Sequence, residues 1–117
     1  MDVAENPGYL QVRLQRSPIP ARLDRLLRRT VAESEARGFR RVLVDATALT
    51  DPLPTADQYQ MGVETARALD GRIKLAIVGQ PEHADPFFET VARNRGANLR
   101  VFADEVDAVV WLLRNAT

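Results

Sequence analysis

The chain alternates short apolar segments with longer segments whose apolar residues recur at helical spacing. The clearest apolar segment runs from Arg41 to Asp45 and contains Val42, Leu43 and Val44 without interruption. Such a run is typical of a strand that is covered on both faces, as in a parallel sheet. Strands that alternate with helices indicate βαβ units. The alternation therefore predicts an α/β fold.

The pattern predicts four strands and about four helices. The strands cover residues 9–14, 41–45, 73–78 and 99–102, and the helices begin after Ser17, at Thr55, at Pro86 and after Asp104. Right-handed connections favour a mainly parallel sheet in which these strands, numbered along the chain, lie in the order 2-1-3-4. Residues 1–7 are expected to be a loose end unless they form a short extra edge strand. Gln11 and Arg13 disagree with the order, because polar residues at alternate positions suit a strand that is half exposed or at an edge.

Length and composition narrow the class of protein. A chain of 117 residues can bury a core of its own, and we expect residues 1–117 to form a single domain. It has no cysteine, which excludes disulfides and thiolate metal sites and favours a cytoplasmic location. No segment has the ~20 apolar residues that a membrane-spanning helix needs. Sixteen basic residues balance sixteen acidic ones, which argues against nucleic acid or an anionic membrane as the main partner.

The starts of two helices and the buried face of one of them can be predicted in detail. Thr55 and Gln58 have the spacing of a capping box, in which each side chain bonds a backbone amide near the helix start. Asp104 is expected to cap the last helix. The predicted buried stripe of that helix is Val106, Val109, Val110 and Leu113.

The strand ends carry the candidate functional residues. Parallel α/β sheets bind ligands at the carboxyl ends of their strands. The candidates for a ligand or partner surface there are Asp45, Thr47, Asp51, Thr55, Tyr59, Glu82, His83 and Asp85. His83, the only histidine, could act as a base oriented by Asp45, or it could be an exposed loop residue. Asp45, Asp51 and Asp85 could bind a hard cation, although helix capping and turn formation also account for Asp85 and Asp51. We predict no metal or cofactor.

A second candidate surface lies on the last helix. Trp111 points roughly 140° away from Val106 around that helix, well off the predicted buried stripe. It is either covered because the helix is deeply packed, or it belongs with Leu112 to a protein interface, where tryptophan is enriched. Met61 could extend the same interface, because it lies off the predicted buried stripe of its own helix, which is Tyr59, Gly62, Val63, Ala66 and Leu69.

Two segments resemble a known family. Residues 42–57, VLVDATALTDPLPTAD, resemble the strand and loop of STAS domains, the anti-sigma-factor antagonists. Residues 74–113 resemble more specifically the SpoIIAA-like, STAS/Sec14-type proteins of bacteria, whose GA-x-x-RVF strand precedes an acidic helix start and a final WL. The resemblance covers roughly residues 39–113. It implies a STAS-like fold and a regulatory role through protein binding.

One position departs from the family pattern. STAS antagonists are phosphorylated on a serine that follows the second acid of the motif. Asp51 matches that acid, but Pro52, Leu53 and Pro54 stand where the serine and a glycine are expected, and Thr55 is the nearest hydroxyl for phosphorylation. The resemblance therefore implies a binding surface more readily than a phosphorylation switch.

The sequence leaves two functions open. The first is a non-enzymatic STAS-like domain that binds a protein partner or itself, as a homodimer. The second is binding of a small or lipid-like ligand, or an unrecognised enzyme activity, in a cleft between the Asp45 and His83 loops. A pocket lined by Tyr59, Phe87 or His83 would favour the second, and an apolar surface patch near Trp111 would favour the first.

Overall fold

A five-stranded mixed sheet forms the centre of the molecule. The computed structural model describes residues 1–15, 23–49, 53–79 and 86–114. The strands are β1 (Asp2–Asn6), β2 (Tyr9–Arg13), β3 (Arg41–Asp45), β4 (Lys74–Val78) and β5 (Asn98–Phe102). They lie in the order β1-β2-β3-β4-β5; β1 is antiparallel to β2, and the other neighbours are parallel. The helices of the described residues are α1 (Leu23–Ala36), α2 (Thr55–Leu69), α3 (Phe87–Asn94) and α4 (Glu105–Leu112).

The α/β class is confirmed, but the predicted strand number and order are wrong. Residues 2–6 form the extra edge strand that the sequence left open, and a turn through Gly8 at φ 87° joins it to β2. The segment Arg41–Asp45, expected at an edge, lies between β2 and β4. With parallel strands in sequential order, right-handed connections put successive helices on one face of the sheet. The predicted order 2-1-3-4 would have placed the helices on both faces.

The two faces of the sheet are covered unequally. On one face, α1, α2 and α3 pack on a large core that includes Leu10, Val42 and Leu75. On the other face, α4 is the helix of the described residues that packs on a smaller core, which includes Leu43 and Ala76. This helix contacts β3, β4 and β5, so the same face of β2 is only partly covered. The half-buried Gln11 and exposed Arg13, which disagreed with a central strand, are therefore consistent with the observed fold.

The predicted buried stripe of α4 is wrong for three of its four residues, and the fourth, Val109, is half-buried against the sheet. Val106, Val110 and Leu113 are exposed, whereas Ala108 and Leu112 are completely buried against the sheet. Because Ala108 is small, the helix can approach the sheet closely along that side. The predicted Asp104 cap is confirmed, since its carboxylate accepts a hydrogen bond of 2.9 Å from the amide of Val106.

No helix in the described parts of the chain is both long enough and apolar enough to cross a bilayer.

Candidate functional site

Among the described residues of the strand-end edge, Asp45 is the centre of a closely bonded polar group. Asp45 ends β3, and its Oδ1 accepts hydrogen bonds from the backbone amide of Thr47 at 3.0 Å and from its hydroxyl at 2.6 Å. Its Oδ2 lies 3.4 Å from Nε of Arg13 at the end of β2. The structure therefore brings together the predicted candidates Asp45 and Thr47 and adds Arg13.

These bonds set the protonation state of Asp45. Partial burial raises the pKa of its carboxyl, but the two hydrogen bonds from Thr47 and the charge of Arg13 outweigh this effect and hold the pKa below its ordinary value. A carboxylate with a lowered pKa is a weak proton acceptor at neutral pH. With both oxygens bonded, Asp45 is better suited to shaping the turn after β3 than to acid–base chemistry.

Thr55 and Tyr59 lie on the first turns of α2. The predicted capping box is wrong: α2 has Pro54 at its N-cap position without a side-chain bond, and Nε2 of Gln58 donates instead to the Leu53 carbonyl at 2.9 Å. Proline at the cap position offers no side-chain acceptor, and Thr55 is already inside the helix with an exposed side chain. Tyr59, one turn further on, accepts a hydrogen bond of 2.9 Å from Arg95, the residue that follows α3.

The other strand-end candidates, Asp51, Glu82, His83 and Asp85, lie outside the described residues. The described parts of the chain contain no group of three or more His, Cys, Asp or Glu side chains that could hold a metal ion.

The three predicted interface residues do not form one surface. Leu112 is completely buried, so none of its side chain is left for a partner. Trp111 is half-buried, and its ring centroid lies 5.7 Å from that of Phe102 on β5. Met61 is on the opposite face of the sheet, where it lines a cavity.

Lys74 makes contacts that the sequence did not reveal. Its side chain is buried, and Nζ donates to the carbonyls of Trp111 at 2.7 Å and Arg114 at 3.0 Å, at the end of α4. Nζ also lies 4.5 Å from the Trp111 ring centroid. Burial lowers the pKa of Lys74, and the charges of Arg41 and Arg114 lower it further. A cation at a helix C-terminus is stabilising, so Lys74 ties α4 to the sheet. In the sequence, the only indication of this role is that Lys74 is the single lysine of the chain.

An apolar cavity of about 180 Å³ lies between the sheet and helices α1 to α3. Leu26 of α1, Met61 of α2 and Phe88 of α3 line it, and Leu14, Ala46 and Leu49 bring it to the carboxyl edge of the sheet. Three hydroxyl residues line it: Thr30 and Ser34 of α1 and Thr65 of α2. Ser34 donates to the Val31 carbonyl of its own helix, and Thr30 donates to the Leu26 carbonyl and also contacts Sδ of Met1. The surface of the cavity is nevertheless almost entirely apolar.

This cavity differs from the predicted cleft. Among the described residues its aromatic lining is Phe88, and neither Phe87 nor Tyr59 contributes. Asp45 is also not part of the lining, although the next residue, Ala46, is. The cavity is thus beside the Asp45 turn, beneath the helices, and has no charged group among its described lining residues.

Comparison with protein-family models gave no match to this sequence, and comparison with curated proteins also gave none.

Proposed function

We propose that the protein is a non-enzymatic binding domain that holds an apolar ligand in the cavity beneath helices α1 to α3. The cavity carries this proposal, because it is concave and reaches the strand-end edge where α/β domains bind their ligands. Its lining offers burial of apolar surface and no charged group among the described residues. This favours a hydrocarbon group over a polar metabolite.

The volume defines the size of the group. An engineered apolar cavity of about 150 Å³ stays dry and accepts benzene. The cavity here is slightly larger, at about 180 Å³. It suits one ring or the end of an aliphatic chain, with the polar part of such a ligand left at the carboxyl edge of the sheet near Ala46 and Leu49. An acyl chain with its carboxylate outside is a ligand of this kind.

Methyl NMR with straight-chain carboxylates, from hexanoate to palmitate, tests the proposal. We expect saturable shifts in the methyl groups of Leu26, Met61 and Leu49, and none in those of Val109 and Leu112 of α4. The second group is an internal control, because it belongs to the core on the opposite face of the sheet. Shifts of both groups together, or of neither, would contradict binding in this cavity.

A cavity-filling variant sharpens the same test. Ala46→Leu places three extra carbon atoms at the cavity wall and should weaken binding by about tenfold or more, since each buried CH₂ is worth ~0.8 kcal/mol. Ala4→Leu makes the same chemical change at an exposed position of β1 and should leave binding unchanged. Thermal unfolding of both variants would show whether each is still folded.

A second candidate function is the protein-binding role implied by the resemblance to STAS domains. The observation that favours it is the apolar side of α4 that faces solvent, formed by Val106, Val110 and Leu113. Exposed apolar side chains grouped on one element mark interaction surfaces more often than isolated ones do. A native-mass measurement on protein isolated from its own cells would retain a bound protein, and the bare chain mass would count against this role.

A further inference from the structure

The exposed side of α4 is a continuous apolar stripe. Val106, Val110 and Leu113 are 67%, 53% and 38% exposed. Their spacing of four and three residues puts them on one face of a helix. The opposite face is fixed to the sheet through Ala108 and Leu112, so α4 cannot rotate to bury the stripe without losing those contacts. The stripe extends to the turn between β1 and β2, where Leu113 lies beside Gly8.

Charged side chains of opposite sign flank the stripe. Asp107 lies to one side of the stripe on the helical wheel, and Arg114 directly follows Leu113, the last residue of the stripe, beyond the end of the helix. Both side chains are exposed, and neither forms a salt bridge with any other part of the described chain. The acid is at the beginning of the helix, and the base directly follows its last turn.

We infer that α4 pairs antiparallel with α4 of a second copy of this chain, about a two-fold axis near Val110. In an antiparallel pair, a given side of one helix faces the same side of the other helix, and the two helices run in opposite directions. Asp107 of each copy then lies beside Arg114 of the other, and Val106 lies against Leu113 of the other. The interface is self-complementary, as a two-fold interface must be. This inference rests on the protein-binding role proposed above and names the partner.

Charge selects this arrangement over a parallel one. In a parallel two-fold pair each flank would face the opposite flank of the other helix, so Asp107 and Arg114 of the two copies would not meet. The antiparallel pair forms two attractive contacts instead. Because the chain has formal net charge +0, no long-range repulsion opposes the approach of two copies.

The size of the surface makes the dimer weak. The helix has 8 residues, about 12 Å in length. Specific stable interfaces bury about 1,600 Å² in total, which is more than one short helix pair can supply. The association should therefore be reversible and dependent on concentration, and it should weaken as salt screens the two exposed ion pairs.

Sedimentation velocity over a wide range of concentrations tests the pairing through a charge swap. Asp107→Lys and Arg114→Glu each replace two attractive contacts with two repulsive ones and should weaken the dimer about tenfold. The double variant D107K/R114E restores opposite charges across the axis and should recover most of the lost affinity. Recovery is the decisive result, because a change confined to the single molecule would not produce it. Arg29→Glu, an exposed charge reversal on α1 across the sheet, is the matched control and should leave the dimer unchanged.

A chain that stays monomeric at every concentration would overturn the inference, as would a dimer whose affinity the double variant fails to recover. Neither result would contradict the protein-binding role itself, because the native-mass measurement would still detect a different bound protein. The substitutions reverse the charges near the two ends of α4 and so change their interaction with the helix dipole. Trp111 fluorescence and thermal unfolding of each variant therefore check that α4 is still folded.

Discussion

At the scale of the residue, Asp45 shows how a polar group at a strand end can be structural. Its lowered pKa indicates that the folded state prefers the ionised carboxylate, which bonds Thr47 and lies near Arg13. A group whose pKa is lower in the folded state stabilises the fold above its unfolded pKa. That contribution is lost as the pH falls through the folded pKa.

Asp45→Asn should therefore lower the free energy of unfolding by about 1–2 kcal/mol at neutral pH, because it removes the charged acceptor. The difference from the unsubstituted chain should shrink as the pH falls below the ordinary value of 3.8, where Asp45 becomes neutral as well. Urea unfolding at a series of pH values measures this difference. A difference that stays constant down to strongly acidic pH would mean that the charge of Asp45 does not stabilise the turn.

Local sequence patterns predicted single residues with mixed success, and the reason is visible at two helix starts. Asp104 was predicted correctly because its short carboxylate reaches an amide two residues away, which is a purely local bond. The Thr55 and Gln58 pattern is equally local, but Pro54 takes the cap position and Gln58 bonds the Leu53 carbonyl. The motif specifies which bonds are possible, whereas the path of the preceding loop decides which of them form.

At the scale of the element, helix packing depends on small residues that hydrophobic patterning undervalues. On α4 the three exposed members of the predicted stripe are larger and more apolar than Ala108, which is the residue that meets the sheet. Trp111 is half covered by Phe102 and Lys74 in a contact between residues far apart in sequence, which no local pattern could reveal. The same dependence on a small residue occurs where α2 crosses α3.

Gly62 is the residue that permits the close approach of α2 and α3. A Cβ atom at this position would lie 2.7 Å from Cγ1 of Val91 and 3.1 Å from the Phe88 carbonyl oxygen. Alanine is favoured over glycine in a helix by about 1 kcal/mol, but overpacking a tight core costs about 1–3 kcal/mol. Gly62→Ala should therefore be neutral to destabilising by about 2 kcal/mol, despite the gain in helix propensity.

Gly79→Ala is the matched control for that substitution. A Cβ atom there meets no atom within 4 Å, and the backbone does not have the positive φ that only glycine adopts easily. Its effect should be within about 0.5 kcal/mol. Thermal unfolding compares the two variants directly. If Gly62→Ala raised the stability above that of the unsubstituted chain, the helices would have to be able to separate at little cost.

At the scale of the whole molecule, strand positions along the chain were predictable and strand neighbours were not. Hydrophobic periodicity located four of the five strands within a residue or two, because it depends only on the local alternation of side chains. The order of strands depends on pairing between distant segments, and β1 carries the polar sequence DVAEN, which lacks the usual signal of a strand. The cavity arises in the same way, from side chains of three helices, two strands and the loops beside them, which no single segment identifies.

Amide hydrogen exchange distinguishes the observed strand order from the predicted one. In the observed order, β3 is bonded on both sides, by β2 and by β4, so all its inner amides have backbone acceptors. β1 is bonded on one side only. We expect the amides of Val42, Leu43 and Val44 to exchange at least about a hundredfold more slowly than the outward-facing amides of β1, since protection ranges from near zero in frayed segments to the full unfolding free energy in the core. Had residues 41–45 formed an edge strand, alternate amides in that segment would exchange rapidly, and NMR resolves the two patterns residue by residue. The amides of β4 serve as the reference, because both orders place that strand inside the sheet.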